Sequence, residues 1–426
     1  MLFFYNLIQI LGLIFLWPLA LLVVACKAKY RLRIPKRLGV GLDSLLREVS
    51  PGKPRIWIHA LSVGEVISAV PFVRALRAQY PGASLLFSAA TSSGQRYAEN
   101  LPDFPIDVII PFPLDFYPVA FRFIRKVRPD LFILIETDFW PNFLHGLQKE
   151  KVPALLVNGR VSQKSYTRYS AFQPFFLSMF NSFQALAMQR RQDMEKMVEL
   201  GVDATKLMVL GNLKYDAVLP AAEVVRPFGK KDFSIDPDRP VFIAGSTHDG
   251  EEEMLCSVFQ KLLRRFPRLF MVIAPRNIER ADAVAKIVQQ KGFSVARRSA
   301  GVERDDQVMV LDTMGELAGL YAIADLAFVG GSMVDQGGHN PLEPAVFGVP
   351  VFFGVHMEDF ADVAEEMIVE HCAEQVETAE QLMDAIRRFL ESADLREKTG
   401  DAARVFVSVR QGVNHRHIEL VERVLS

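Results

Sequence analysis

The densest chemistry lies in residues 330–345, GGSMVDQGGHNPLEPA, where four glycines, a histidine, an Asn-Pro pair and a glutamate follow the apolar run LAFV. Glycines let a backbone approach a ligand closely, and the first turn of a helix offers unpaired N–H groups to an anion. The stretch predicts a helix with Asn340 as N-cap, Pro341 at the first position, then Leu342, and Glu343 at the third. A capping box alone accounts for Asn340, Pro341 and Glu343, but it needs neither the four glycines nor the histidine before them. The expectation is a nucleotide-type donor site at a strand's carboxyl end, with the Glu343 carboxylate accepting from ribose hydroxyls.

Three further residues suit proton transfer or charge stabilisation. Glu65, in HALSVGEVISAV, stands where a strand turns into a helix. It reads as a general base at a sheet's carboxyl edge, or as a first-turn glutamate favoured by the helix dipole. Glu136 ends the apolar strand LFILIE and points toward the crevice beyond the sheet, unless it pairs with a buried arginine. Lys214, in GNLKYD, precedes a linker and could hold an anionic substrate or be solvated.

Other segments of the second half add binding groups. Gly245, Ser246 and Thr247 could bind an anion, whereas Glu251 to Glu253 read as a solvated helix start. Arg276, after Pro275 in LFMVIAPR, suits a phosphate or carboxylate partner. Met314, Gly315 and Glu316 follow VMVLD, in a turn whose backbone could read a base edge or simply begin a helix. Asp236-Pro237-Asp238 has acidic spacing but reads as a turn, and no His/Cys cluster suggests a metal. Arg160, Lys164 and Arg168 recur at helical spacing among Tyr166, Tyr169, Phe172, Phe175 and Phe176. That stripe suits an anionic lipid surface, or a helix with a basic outer face and an aromatic core face.

The elements that position these residues are apolar strands spaced for βαβ units: 55–61, 84–91, 107–112, 131–136, 153–159 and 185–189, then 241–247, 269–275, 293–298, 308–312, 326–331 and 349–354. Between them, 216–240 is proline-bearing and aperiodic, a linker. The expected organisation is an anchor helix at 1–26, a domain at 27–215, the linker, and a second domain at 241–426, giving two doubly wound α/β halves with a cleft between them.

Bulk properties narrow the partners. The 426 residues carry a net charge of −1, so no overall field favours nucleic acid. Three distant cysteines make neither a disulfide framework nor a metal site. Residues 2–25 are almost continuously apolar and as a helix would reach about 36 Å, enough to cross a bilayer core. Lys27, Lys29, Arg31, Arg33, Lys36 and Arg37 follow, with no positive charge before the run. This order predicts a retained anchor with the rest of the chain on the cytoplasmic side.

The segments SVGEV, ETDFWPN, NGRVS, GNLK, AGSTHDGEE, APRNIER, DTMGEL and GGSMVDQGGHNPLEPAVFG occur in this order. Together they resemble the bacterial 3-deoxy-D-manno-octulosonic acid (Kdo) transferases of lipopolysaccharide synthesis, over essentially the whole chain. Asn277 stands where that family usually has His, and Asp138-Phe139 where it usually has Glu-Leu. The resemblance implies a GT-B fold of two Rossmann-like domains. It implies inverting transfer of Kdo from CMP-Kdo to the lipid A disaccharide precursor at the inner membrane, without metal or cofactor. Glu65 would be the base, and Glu136 and Lys214 would steady the transition state. Pro275-Arg276, Met314 to Glu316 and Asn340 to Glu343 would hold CMP. A UDP-sugar enzyme of the same fold and a non-catalytic nucleotide-binding scaffold are the competing readings.

Overall fold

The computed structural model describes residues 2–26, 28–49, 51–217, 228–303 and 305–426. It divides into two compact units, Met1–Ala217 with Gly412–Ser426, and Val218–Gln411.

The first unit is built on β1 (Arg55–Ala60), β2 (Ser84–Ala89), β3 (Val108–Ile109), β4 (Leu131–Ile135), β5 (Ala154–Gly159), β6 (Ala185–Met188) and β7 (Leu207–Val209). They form one parallel sheet in the order β3-β2-β1-β4-β5-β6-β7. Strand side chains alternate between faces, so β1 sends Trp57 into one core and Ile56 and Ile58 into another. Helices cover both faces, which is why the strands read as continuous apolar runs. The order reverses at β1, which has β2 on one side and β4 on the other. Ligands of open α/β sheets bind beyond the carboxyl ends at such a reversal, and there Glu65 follows β1 and Glu136 follows β4.

The second unit repeats the plan with β8 (Val241–Thr247), β9 (Phe270–Pro275), β10 (Val295–Arg297), β11 (Val308–Val310), β12 (Leu326–Val329), β13 (Val351–Phe353) and β14 (Ala373–Gln375), ordered β10-β11-β9-β8-β12-β13-β14 and all parallel. The reversal falls at β8, between β9 and β12.

The expected boundary of 241–426 differs from the structure at its end. Helix Val413–Leu425 buries Val413, Ile418, Leu420 and Val421 in the first unit, against helix Val63–Gln79. The buried Asp216 carboxylate accepts from the backbone N–H groups of Gly412 and Asn414 at 2.8 and 2.6 Å, which pins the returning chain. Of the linker expected at 216–240, residues 218–227 lie outside the described residues, and 228–240 are not a linker but part of the second unit, with Phe233 and Ile235 buried in its core. Asp236-Pro237-Asp238 is a turn, with the Asp238 N–H donating to Asp236 Oδ1.

At the N-terminus, helix Leu2–Cys26 precedes helix Ala28–Arg37. Among the described residues no helix is long and apolar enough to cross a membrane; the side chains of 17–25 are not among them. The helix start docks on the first unit through three polar residues. Tyr5 donates to Asp115 Oδ2 at 2.9 Å, Asn6 pairs with the buried Asn142, and Gln9 donates to the Asp115 carbonyl. Phe3, Phe4, Ile8, Ile14 and Phe15 remain exposed.

Candidate active site

Glu65 is the centre of the first edge. Ser62 caps helix Val63–Gln79, and Glu65 sits in its first turn with its carboxylate accepting from the Leu61 N–H at 2.5 Å. It is therefore a capping residue as well as a site residue. It is 94% buried. Burial, together with the nearby carboxylates of Glu136 and Asp138, pushes its pKa up to about 8 against the pull of the Leu61 bond. A carboxylate this reluctant to ionise accepts a proton readily, the property a general base needs near neutral pH.

Glu136 leaves β4 in the left-handed region, φ 63°, which turns it out of the strand. Asn158, at the end of β5 and also left-handed at φ 61°, donates to Glu136 Oε1 at 3.1 Å and accepts from the Leu213 N–H at 3.0 Å. One amide thus ties Glu136 to the loop carrying Lys214, whose N–H donates to Asn212 Oδ1. The structure accordingly brings Glu65, Glu136 and the Lys214 loop to the same sheet edge. Sequence reasoning overlooked Asn158 and also His59, which is fully buried on β1 and bonded to Asp138 Oδ2 at 2.9 Å. An asparagine after an apolar strand was the available signal for the first, since Asn tolerates positive φ better than most residues.

The predicted binding residues of the second unit gather at the carboxyl ends of β8, β9, β11 and β12, adjacent strands of one sheet. Asn340 Oδ1 accepts from the Leu342 N–H at 3.1 Å, one residue short of the Glu343 N–H that the expected capping box needs, and Pro341 takes the N-cap position instead. The helix that follows, Leu342–Ala345, is a single turn and begins after Pro341. Burial pushes Glu343 up to about 7, opposed by Arg276 and by a bond from Asn340. His339 Nε2 lies 2.8 Å from His248 Nε2, the rings nearly parallel, and burial with Arg276 and His248 nearby lowers His339 to about 4. Arg276 is exposed, its N–H donating to the Thr247 carbonyl, and Pro275 closes β9. Met314 is exposed, Gly315 has φ 80°, and Glu316 pairs with Arg298 at 3.0 Å.

Two further expectations need correction, and for the basic-aromatic stripe the structure matches the alternative of a basic outer face with an aromatic core face. Glu251 and Glu252 are not solvated; both are essentially fully buried. The Glu251 carboxylate accepts from the N–H groups of His248, Gly331, Ser332 and Met333 at 2.8 to 3.1 Å, so that part of the glycine-rich loop is occupied by the protein itself. Glu252 pairs with Arg280 and accepts from Thr247. Gly245 lies inside β8 rather than in an open anion loop, and a Cβ there would meet the Tyr321 hydroxyl at 1.9 Å. It is a glycine because Tyr321 packs on it; Ser246 beside it has φ 55° at a register shift. The basic-aromatic stripe breaks at Phe172, and Tyr169, Phe175 and Phe176 face the core. Lys164, Arg168 and Phe172 stand outward.

Residues 32–217 match the family model for 3-deoxy-D-manno-octulosonic-acid transferase, and residues 240–406 match that for glycosyl transferases group 1. The chain is 35% identical to the 3-deoxy-D-manno-octulosonic acid transferase of Haemophilus influenzae, over 93% of this chain and 92% of that protein. It is 31% identical to a bifunctional glycosyltransferase/methyltransferase of Fusobacterium nucleatum, over 90% of this chain and 58% of that one. In fold it is similar to UDP-GlcNAc 2-epimerase from Neisseria meningitidis, with a TM-score of 0.60 and 12% identity over 87% of this chain and all of that one. With acid-rich and loop-rich edges on two parallel sheets, and with relatedness extending over nearly its whole length, this chain is an enzyme of the 3-deoxy-D-manno-octulosonic acid transferase family.

Proposed function

We propose that this chain moves Kdo from CMP-Kdo to a hydroxyl of the lipid A disaccharide precursor, with inversion and without a metal ion. The observation that carries the reading is Glu65, a buried carboxylate at the first sheet's point of reversal with its pKa raised to about 8. In this reading the first unit holds the acceptor and the second the donor. Glu65 takes the acceptor hydroxyl proton as the new C–O bond forms; the bond from the sugar to the phosphate breaks, and its electron pair leaves with CMP. Glu136 steadies the electron-poor sugar centre, as a carboxylate does in glycoside hydrolysis. Lys214 offsets substrate charge. Arg276 and the Asn340–Glu343 turn meet the phosphate and ribose, and the 314–316 turn meets the base. Fixed cations and N–H groups can carry the leaving phosphate's charge without a metal.

The apolar run 2–25, the cations after it and the exposed Phe3, Phe4, Ile8, Ile14 and Phe15 support mooring at the inner membrane with both units on the cytoplasmic side. Outward Lys164, Arg168 and Phe172 support contact of the first unit with an anionic lipid surface.

The test is transfer from CMP-Kdo to a lipid A precursor in EDTA, with the glycolipid product weighed by mass spectrometry. Product carrying Kdo is expected, and the folded Glu65→Ala variant should make none. Turnover only with a UDP-sugar, or only after a divalent ion is restored, would defeat the donor or the metal-free assignment respectively.

A further inference from the structure

The mechanism leaves unused a buried polar chain at the first edge: Trp57, Ser88 and His59, each fully buried, ending on Asp138. The Trp57 indole can only donate, and it donates to Ser88 Oγ at 2.8 Å. The Ser88 hydroxyl faces His59 Nδ1 at 2.8 Å and the Ile58 carbonyl at 3.4 Å, and the Ser88 carbonyl faces the same Nδ1 at 3.1 Å. Burial holds the imidazolium below its ordinary range, so the ring is neutral. Nε2 lies 2.9 Å from Asp138 Oδ2, and a carboxylate only accepts, so the ring proton belongs on Nε2 and is donated to Asp138. The other neutral tautomer would press an Nε2 lone pair against a carboxylate oxygen at that distance. Phe112 clamps the ring, stacked with centroids 3.7 Å apart.

The bonded groups run from Trp57 through Ser88 and His59 to Asp138, and the last bond is donated to the carboxylate. A purely structural chain could end on any carbonyl. This one ends on a carboxylate two residues past Glu136, within electrostatic reach of Glu65. Resting on the reading of Glu65 as the base, we propose that Asp138 is a positioning residue of the transfer: the buried chain fixes its carboxylate, whose negative charge strengthens Glu65 as a base.

The charged groups around Glu65 come from several elements. Glu136 and Asp138 act on it directly. Arg33 and Arg37, on helix Ala28–Arg37, act on each other, and Arg37 interacts with Asp138. Among the elements packed on its helix, the short helix Lys214–Ala217 carries Lys214 and Asp216, helix Ser92–Glu99 carries Arg96 and Glu99, and the C-terminal helix carries Arg416 and His417. Substituting Asp138 alone leaves all the others in place.

The experiment follows the Glu65 carboxyl by 13C NMR in the full chain labelled at glutamate, assigned by difference from Glu65→Gln, in the wild type, Asp138→Asn and His59→Phe. In parallel, kcat/KM for transfer is measured against pH. Asp138→Asn should lower the Glu65 midpoint by about one unit and shift the acidic limb of the rate profile equally. His59→Phe, which preserves the ring stack but removes the donor, should move both in the same direction by less. A folded Asp138→Asn with an unmoved midpoint overturns the proposal, whatever its activity. Absence of wild-type transfer from CMP-Kdo would defeat the functional reading instead, and the NMR midpoint would still decide the role of Asp138.

Discussion

Glu65 and Glu251 occupy the same place in their two units. Each lies in the first turn of the helix that follows the strand at which its sheet reverses, β1 in one and β8 in the other, and each is more than nine-tenths buried. Their surroundings differ. Glu65 accepts from the Leu61 N–H and lies near the carboxylates of Glu136 and Asp138. Glu251 accepts from four backbone N–H groups, three of them from the glycine-rich loop. Burial alone does not make a carboxylate reactive. Few donors and like-charged neighbours raise its hunger for a proton, whereas a full set of donors makes it a structural bracket.

The comparison can be broken first at Glu65. Glu65→Gln keeps the shape and should cut transfer about 10³-fold, within the range general-base removal produces, with donor affinity unchanged in calorimetry. Comparable loss of donor binding would show that the residue serves the fold instead. Next, Glu251→Ala leaves four backbone N–H groups without their acceptor, and the two fully buried ones, of Gly331 and Ser332, are each worth about 1–3 kcal/mol. Allowing for relaxation, the second unit should lose about 3–5 kcal/mol in denaturant titration, with Glu251→Gln intermediate, and a wild-type midpoint would contradict the bracket role.

A smaller effect concerns stability against pH. The folded-state pKa of Glu65 is raised from 4.5 to about 8, so between these values the folded chain holds a proton that the unfolded chain releases. Its contribution is fully present below about pH 4.5 and is lost as pH rises through about 8. Glu65→Gln should therefore melt above the wild type at pH 8 and alongside it near pH 4.5; a gap independent of pH would refute the shift. Smallest is Gly245→Ala, whose Cβ would crowd the Tyr321 hydroxyl. It should cost about 1–3 kcal/mol through overpacking. Lost donor affinity without lost stability would restore the anion-loop reading of Gly245.

Much of this was readable from residue order. Continuous apolar runs located twelve of the strands because parallel strands covered on both faces carry no polar alternation. β7 (LMV) and β14 (AEQ) escaped, the second because it is not apolar and so offers no run to find. The return of helix Val413–Leu425 to the first unit was illegible, since an amphipathic stripe does not say which core it meets. The candidate bases were legible from their place at strand ends. The bracket role of Glu251 was not, because three of its donors lie about 80 residues away and a Glu-Glu-Glu run looks like any solvated helix start. Likewise the chain from Trp57 to Asp138 joins three segments, β1, β2 and the loop after β4, whose bonding only geometry reveals.

The most direct test of Glu65 as base is kcat/KM for Kdo transfer measured from pH 5 to pH 9 in the wild type and in Glu65→Gln. The account predicts a wild-type rate that climbs to a plateau with a midpoint near pH 8, and a small residual rate in the variant without that rise. The same climb in the variant would contradict it, because the titrating group would then be another residue.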